Sequence, residues 1–424
     1  MNERHRGRLV RPWFLGASTV IFVLLIPVLV HSIWDYLELR RLDAAISSIE
    51  RSGPAINPRE HIDLAGPAAD ADRYYRAAAA LASGRAAKLM SNEFARRLSV
   101  AEREDAWPPE LVAELRSWVD SYDEALAFAD RAALLPFDGF AAGRTFSYLT
   151  ADLMTVVRAE GSRATVRALD GDAGGAVAAL VSEARLQRPL DTMPMLTAAR
   201  LAVDLRVALV HTQPSSPSLS RLAAALAEAD QDDRIKRELL RMRAVTIESR
   251  RTMQGLGSII RPWVTHVMTR TLAGYSEMIR VSDRAWPDRI DAIVNAEYVP
   301  SFFAAGRARG FMRPLVESSA ERLALVRAAR VTVAVEQYQR DHGEQLPASL
   351  DQLVPAYLSA APIDPFTGQS LRLLSDTRGY TVYSAGRNRR DDGGRDIGPS
   401  FGSGTARPRQ SVGTDVGIRI QRSQ

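Results

Sequence analysis

The sequence predicts a mainly α-helical chain: a single N-terminal transmembrane helix, a helical hairpin or bundle body, and a small α+β C-terminal domain. Three observations predict it. An apolar run fills residues 13–34, helical periodicity dominates residues 35–312, and a shorter region, 318–398, joins one long helix to strand-like text.

The totals set the class. Of 424 residues, 46% are hydrophobic and 25% charged, the proportions of a globular chain long enough for more than one core. Net charge is only +5, and the arginines alternate with acids along helices, so no face carries the basic footprint of a nucleic-acid binder. No cysteine is present, which excludes disulfides, thiolate metal sites and cysteine nucleophiles.

Residues 1–12 form a basic leader with Arg4, Arg6, Arg8 and Arg11 against Glu3. The run Trp13 to Trp34 follows; at ~1.5 Å per residue it would reach about 33 Å, enough for a ~30 Å hydrocarbon layer. Trp13 and Trp34 sit where interfacial indoles are expected, and the arginine bias predicts a cytoplasmic N-terminus. The text after the run, VHSIWDYLEL, lacks a small-x-small cleavage site, so it reads as an uncleaved signal-anchor of the inner membrane with the bulk of the chain periplasmic.

Within the body, Tyr75, Ala79, Ala82 and Ala86 share a stripe of a helix expected from Ala68 to about Ser99. Pro108-Pro109 opens another, in which Leu111, Leu115, Trp118, Tyr122, Leu126 and Ala129 recur at three- and four-residue steps. A helix from about Thr145 to Leu169 stops at Asp170-Gly171-Asp172. Residues 163–211 read as stacked helical hairpins with Ala168, Ala176 and Ala179 at close approaches. Their ALDGDAGGA turn resembles that of tetratricopeptide-type repeats. Ser218 is expected to cap the helix SLSRLAAALAEAD. Further on, Trp263, Met268, Leu272, Tyr275, Met278 and Ile279 read as core or groove.

In the C-terminal region a helix places Leu323, Val326, Ala329, Ala334 and Tyr338 near one stripe and ends at Gly343. A short helix with Leu350 and Leu353 follows, then strands near Leu371–Leu374 and Tyr380–Ser384. The order Tyr338 with Asp341-His342-Gly343, Leu350 with Leu353, Asp364-Pro365-Phe366-Thr367-Gly368, Tyr383-Ser384-Ala385-Gly386 and Gly393-Gly394-Arg395-Asp396-Ile397 resembles the globular head of the type II secretion major pseudopilin. The pseudopilin processing motif is absent, since Gly16 is followed by Ala17-Ser18-Thr19-Val20-Ile21 with no glutamate. The resemblance implies the head fold and calcium in the closing loop. There Asn388, Asp391, Asp392 and Asp396 are the candidate ligands, hard cations taking several oxygen donors. Arg387, Arg389, Arg390 and Arg395 crowd the same loop and give a competing reading, a turn whose arginines pair with its aspartates. The tail, residues 399–424, is Gly-, Ser- and Arg-rich and reads as disordered, with a brief strand at Gly417–Ile420.

No catalytic signature is found. His5, His31, His61, His211, His266 and His342 lack metal-ligand spacing, and neither a phosphate loop nor a nucleophile elbow occurs. The acid pairs Glu102 with Glu104 and Asp232 with Asp233 are expected to face solvent, and His211 and His266 to be satisfied partners. The expected function is therefore that of a non-enzymatic envelope protein that binds protein partners, linked to a secretion or pilus-like system. An exported enzyme or ligand carrier with a pocket in the helical body is the alternative.

Overall fold

The computed structural model describes residues 12–52, 67–83, 90–137, 146–188, 190, 194–230, 234–250, 257, 259–295, 308–394, 397 and 415–422. It is mainly helical with one small sheet, and it divides into two compact units.

The first unit comprises residues 1–56, 242–277 and 297–308. Its framework is α1 (Pro12–Ser52), the end of α10 (Arg234–Glu248) and most of α11 (Arg261–Val281). Leu42 and Ile46 of α1 meet Met268 and Leu272 of α11 in a small core. Charge pairs flank that core: Arg261 Nε donates to both oxygens of Asp35 at 3.1 Å, and His266 Nδ1 lies 3.2 Å from Glu38. The Arg261 hydrogen bond holds the Asp35 carboxyl below the usual carboxylate range. Trp34 and Trp263 meet edge to face, 5.5 Å apart.

The expected spanning segment, residues 13–34, is corrected here. Among the described residues no helix is long and apolar enough to cross a membrane. The helix does not stop at Trp34 but runs on to Ser52, so the described side chains from Leu25 onward soon include Asp35, Glu38, Arg40 and Arg41. The leader, residues 1–11, and the side chains of residues 12–24 lie outside the described residues.

The second unit holds the rest. Its first core gathers α2 (Pro67–Ser83), α3 (Asn92–Glu104), α4 (Pro109–Asp120), α5 (Asp123–Ala133) and the first half of α6 (Phe146–Leu169). Ser91 caps α3 by accepting from Phe94 N at 3.1 Å. Two helices expected to be continuous are broken. The expected helix from Ala68 to Ser99 divides into α2 and α3, with Ala86 outside the described residues. The Pro108-Pro109 helix turns at Ser121–Tyr122, yet its six stripe residues are all buried. The turn is tight, Tyr122 N donating to Val119 O at 2.8 Å, so the apolar register passes through it.

The second core joins the later half of α6 with α7 (Ala173–Leu186), α8 (Pro194–His211), α9 (Ser216–Ala229), α13 (Ala308–Asp341) and the sheet. Ala168, Ala176 and Ala179 are buried in it. Asp172 caps α7 by accepting from Gly175 N at 2.8 Å. Ser218 is not a cap: α9 starts at Ser216, and the Ser218 hydroxyl accepts from Ser215 and Arg221 instead. Pro217 favours this earlier start because a first-turn proline leaves no donor unpaired. The short helix α12 (Asp288–Asn295) precedes α13.

The sheet is antiparallel, in the order β1 (Arg372–Asp376), β2 (Gly379–Ser384), β3 (Val416–Gln421). Asp376 pairs with Gly379 across a two-residue turn and accepts from Arg378 N and Gly379 N. Gly379 pairs with Gln421 on its other side. A side chain at Gly379 would strike the Ile420 carbonyl at 1.9 Å, so the third strand can approach only a glycine. The residues after Asp415 thus contribute a full strand, longer than the brief Gly417–Ile420 stretch, because Ile418 and Ile420 are buried in the second core and Ile418 pairs with Val382. Tyr380 reaches through this layer and donates to Glu336 of α13 at 2.7 Å.

Candidate functional site

Two places concentrate polar groups: the C-terminal loops that sequence singled out, and the interior of the helical body, which it did not.

In the first, Asp364 is fully buried and organises two motifs at once. Its carboxylate accepts from Phe366 N at 2.9 Å and Thr367 Oγ1 at 3.0 Å within its own loop. It also accepts from Ser384 Oγ at 2.7 Å and Ala385 N at 3.1 Å at the end of β2. Four donors stabilise a carboxylate that would otherwise be costly to bury. The Asp-Pro-Phe-Thr-Gly and Tyr-Ser-Ala-Gly segments are therefore two halves of one hydrogen-bonded joint.

Three of the candidate calcium ligands, Asn388, Asp391 and Asp392, lie among the described residues and are engaged in hydrogen bonds. Asp391 accepts from Arg372 Nε at 2.8 Å, Tyr383 Oη at 3.0 Å and Gly393 N at 2.9 Å. The Gly393 N–H foremost holds its carboxyl below the ordinary range. Asn388 donates to Asp392 at 2.9 Å and spends its own carbonyl oxygen on Arg390 N at 3.0 Å. Asp396 lies outside the described residues. Among the described residues no group of three or more acidic or histidine side chains is placed to hold a metal ion. Arg387 and Arg389 turn outward rather than to the loop's own aspartates, and Arg395 lies outside the described residues. Arg387 donates to Glu321 at 2.9 Å, and Arg389 grips Asp291 at 3.0 and 3.1 Å. One anchor escaped sequence reading: buried Asp415, just before β3, accepts from Gly394 N at 2.7 Å and Asp392 N at 3.3 Å. Burial pushes its carboxyl upward.

Among the described residues of the body, three carboxyl groups are fully buried: Glu160 on α6, Glu183 on α7 and Asp204 on α8. Asp204 accepts from Thr165 Oγ1 at 2.9 Å and Arg200 Nε at 2.5 Å, and Arg200 also pairs with Glu102 of α3. Glu160 accepts from Arg163 Nη2 at 2.5 Å. The same guanidinium reaches Asp130 of α5, which takes a further hydrogen bond from Ser182 Oγ at 2.7 Å. Neither carboxyl oxygen of Glu183 has a hydrogen-bond partner among the described residues. Five acids (Glu102, Asp130, Glu160, Glu183 and Asp204) thus face the guanidiniums of Arg158, Arg163 and Arg200, with Arg167 acting on Glu160 as well. Burial pushes Glu160 up to about 8 against the pull of Arg163, and Asp204 up to about 6 against Arg200. Glu183 rises well above the carboxylate range, through burial and then the neighbouring Asp204. Burial thus favours the protonated form of Glu160 and Glu183 most.

Above this cluster an open cleft of about 400 Å³ is lined by α5, α6, α7 and α9. Its floor is apolar and small, with Ala178, Ala179 and Val181 of α7, and Leu134 stands 75% exposed at its edge. Arg163, Arg167, Arg185 and Arg221 line it against one acid, Asp130.

Sequence expectation and structure differ at Glu102, which was expected in solvent but is half-buried on Arg200, while Glu104 stays exposed. Asp232 and Asp233 lie outside the described residues. His211 pairs with Asp105 at 2.9 Å and His266 with Glu38, both satisfied partners. No family model matches the chain, and no curated protein or solved structure matches it either.

Proposed function

We propose that the chain is a non-enzymatic interaction protein whose helical body docks protein partners, while its C-terminal module supplies a rigid α+β platform. The observation that carries this reading is the division of labour in the body. The titratable groups are locked in a buried network, and what faces outward is a shallow, small-residue cleft bordered by arginines and by the exposed Leu134. The order of motifs in the C-terminal module, with its resemblance to a pseudopilin head, supports a place beside a secretion or pilus-like apparatus of the cell envelope.

A ligand carrier is the second reading, favoured by Arg163, Asp130 and Ser182 meeting at the cleft wall. Retention on the immobilised full chain, followed by mass spectrometry of eluted proteins and small molecules, tests the two. Recovery of a discrete protein set supports the interaction reading; a stoichiometric small molecule with no protein overturns it.

A further inference from the structure

The four arginines of the cleft are not equivalent. Arg163 is consumed by Asp130 and Glu160, and Arg185 by a two-pronged pair with Glu228 at 3.0 and 3.1 Å. Arg221 donates to Ser218 Oγ at 3.2 Å and, among the described residues, to no carboxylate. Arg167 donates from Nη1 to Asp172 Oδ2 at 3.4 Å, a long and exposed pair on the oxygen that the α7 cap, made through Oδ1, leaves free. Gly175 makes room for that arrangement: a Cβ there would stand 2.3 Å from Arg167 Nη1 and 2.1 Å from Asp172 Oδ2. One guanidinium on α9, that of Arg221, therefore borders an apolar floor without a carboxylate partner among the described residues, and a second on α6, that of Arg167, is held by a single long pair with half-exposed Asp172. Asp130, the one acid of the lining, is paired with Arg163 and accepts a further hydrogen bond from Ser182. The combination is complementary to a segment carrying both carboxylates and small apolar side chains.

We propose that this cleft is the docking site for an acidic segment of a partner protein, its apolar side chains on Leu134, Ala178 and Val181 and its carboxylates on Arg167 and Arg221. The assignment rests on the interaction-protein reading and names the partner's chemistry. Exposed charge pairs of this kind weaken with salt and contribute modestly one at a time, whereas a buried apolar contact does not share that salt dependence.

The test uses the purified full chain and a fluorescent amphipathic peptide built from glutamate, alanine and leucine, with a glutamine-for-glutamate peptide as control. Saturable anisotropy is expected for the glutamate peptide and not for the glutamine peptide. Arg167→Ala and Arg221→Ala should each weaken binding about three- to fivefold, and Leu134→Asp should weaken it further. Circular dichroism confirms that the variants keep their helix, all three positions being exposed or half-exposed. Equal binding of both peptides, wild-type affinity in both arginine variants, or displacement of the peptide by a short RNA each overturns the assignment. A protein set captured equally by the wild type and the Arg167→Ala/Arg221→Ala double variant overturns it too, and leaves the interaction reading standing. Capture of no protein fails that reading itself.

Discussion

Replacing Glu160 by glutamine removes a carboxyl that the fold keeps protonated while preserving an acceptor for Arg163. In the unfolded chain this group titrates near 4.5; in the fold, burial raises it to about 8. A raised acid favours the fold when protonated, so its contribution is fully present below about 4.5 and is lost as pH rises through about 8. At about 1.36 kcal/mol per pH unit, the whole interval amounts to at most about 5 kcal/mol. Between pH 5.5 and 7.5 the loss is ~2–3 kcal/mol, since the unfolded chain holds almost no proton there and the fold still holds nearly one. Urea unfolding of the full chain, followed by far-ultraviolet circular dichroism at pH 5.5, 7.0 and 8.5, reads this directly. The wild-type midpoint should fall with pH, and Glu160→Gln should flatten the fall and exceed the wild type at pH 8.5. Equal pH slopes for the two proteins would refute the reasoning, because the buried carboxyl would then carry no excess proton.

Two other substitutions probe the same framework. Gly161→Ala should destabilise by about 1–3 kcal/mol, although alanine normally improves a helix interior, because its Cβ would stand 2.0 Å from Asp204 Oδ2; a urea midpoint at or above wild type counts against the packed Asp204 position. Asp364→Ala should cost about 2–4 kcal/mol and loosen the C-terminal module, since four donors lose their shared acceptor; near-ultraviolet circular dichroism and trypsin sensitivity check it, and an unchanged protease pattern contradicts it.

Periodicity made much of this architecture legible. The stripe Leu111, Leu115, Trp118, Tyr122, Leu126 and Ala129 is buried throughout, and the stop at Asp170-Gly171-Asp172 falls where α6 gives way to α7. The strand expected at Tyr380–Ser384 starts one residue inside β2, and the one expected at Leu371–Leu374 stops two residues short of the end of β1. Breaks were less legible, because an apolar stripe persists through a tight turn such as Ser121–Tyr122 and carries no mark of it. The apolar run at the N-terminus suggested a spanning helix, which the described residues do not show. The buried acids were hidden for a different reason: a charged letter is read as solvent-facing, and only its company says otherwise. Glu183 follows Ala176, Ala179 and Leu180 on one face, and Asp204 sits between Leu201 and Ala208, so a wheel that ignored charge would have placed both inside. Pairing across helices, as between Arg200 and Glu102, leaves no local trace at all. The C-terminal loop shows the converse. Its aspartates suggested a cation; in the fold Asp391 is held by the distant Arg372 and by the backbone of nearby Gly393, and the first of these partners is not legible in the local sequence.

Photo-crosslinking in living cells tests the account's central claim most directly, with a benzophenone amino acid placed at Leu134 beside the cleft or at Leu374, an exposed position on β1. Docking in the cleft predicts a discrete protein adduct from position 134 that position 374 does not give. Absence of any adduct at 134, or the same adduct from both positions, contradicts it.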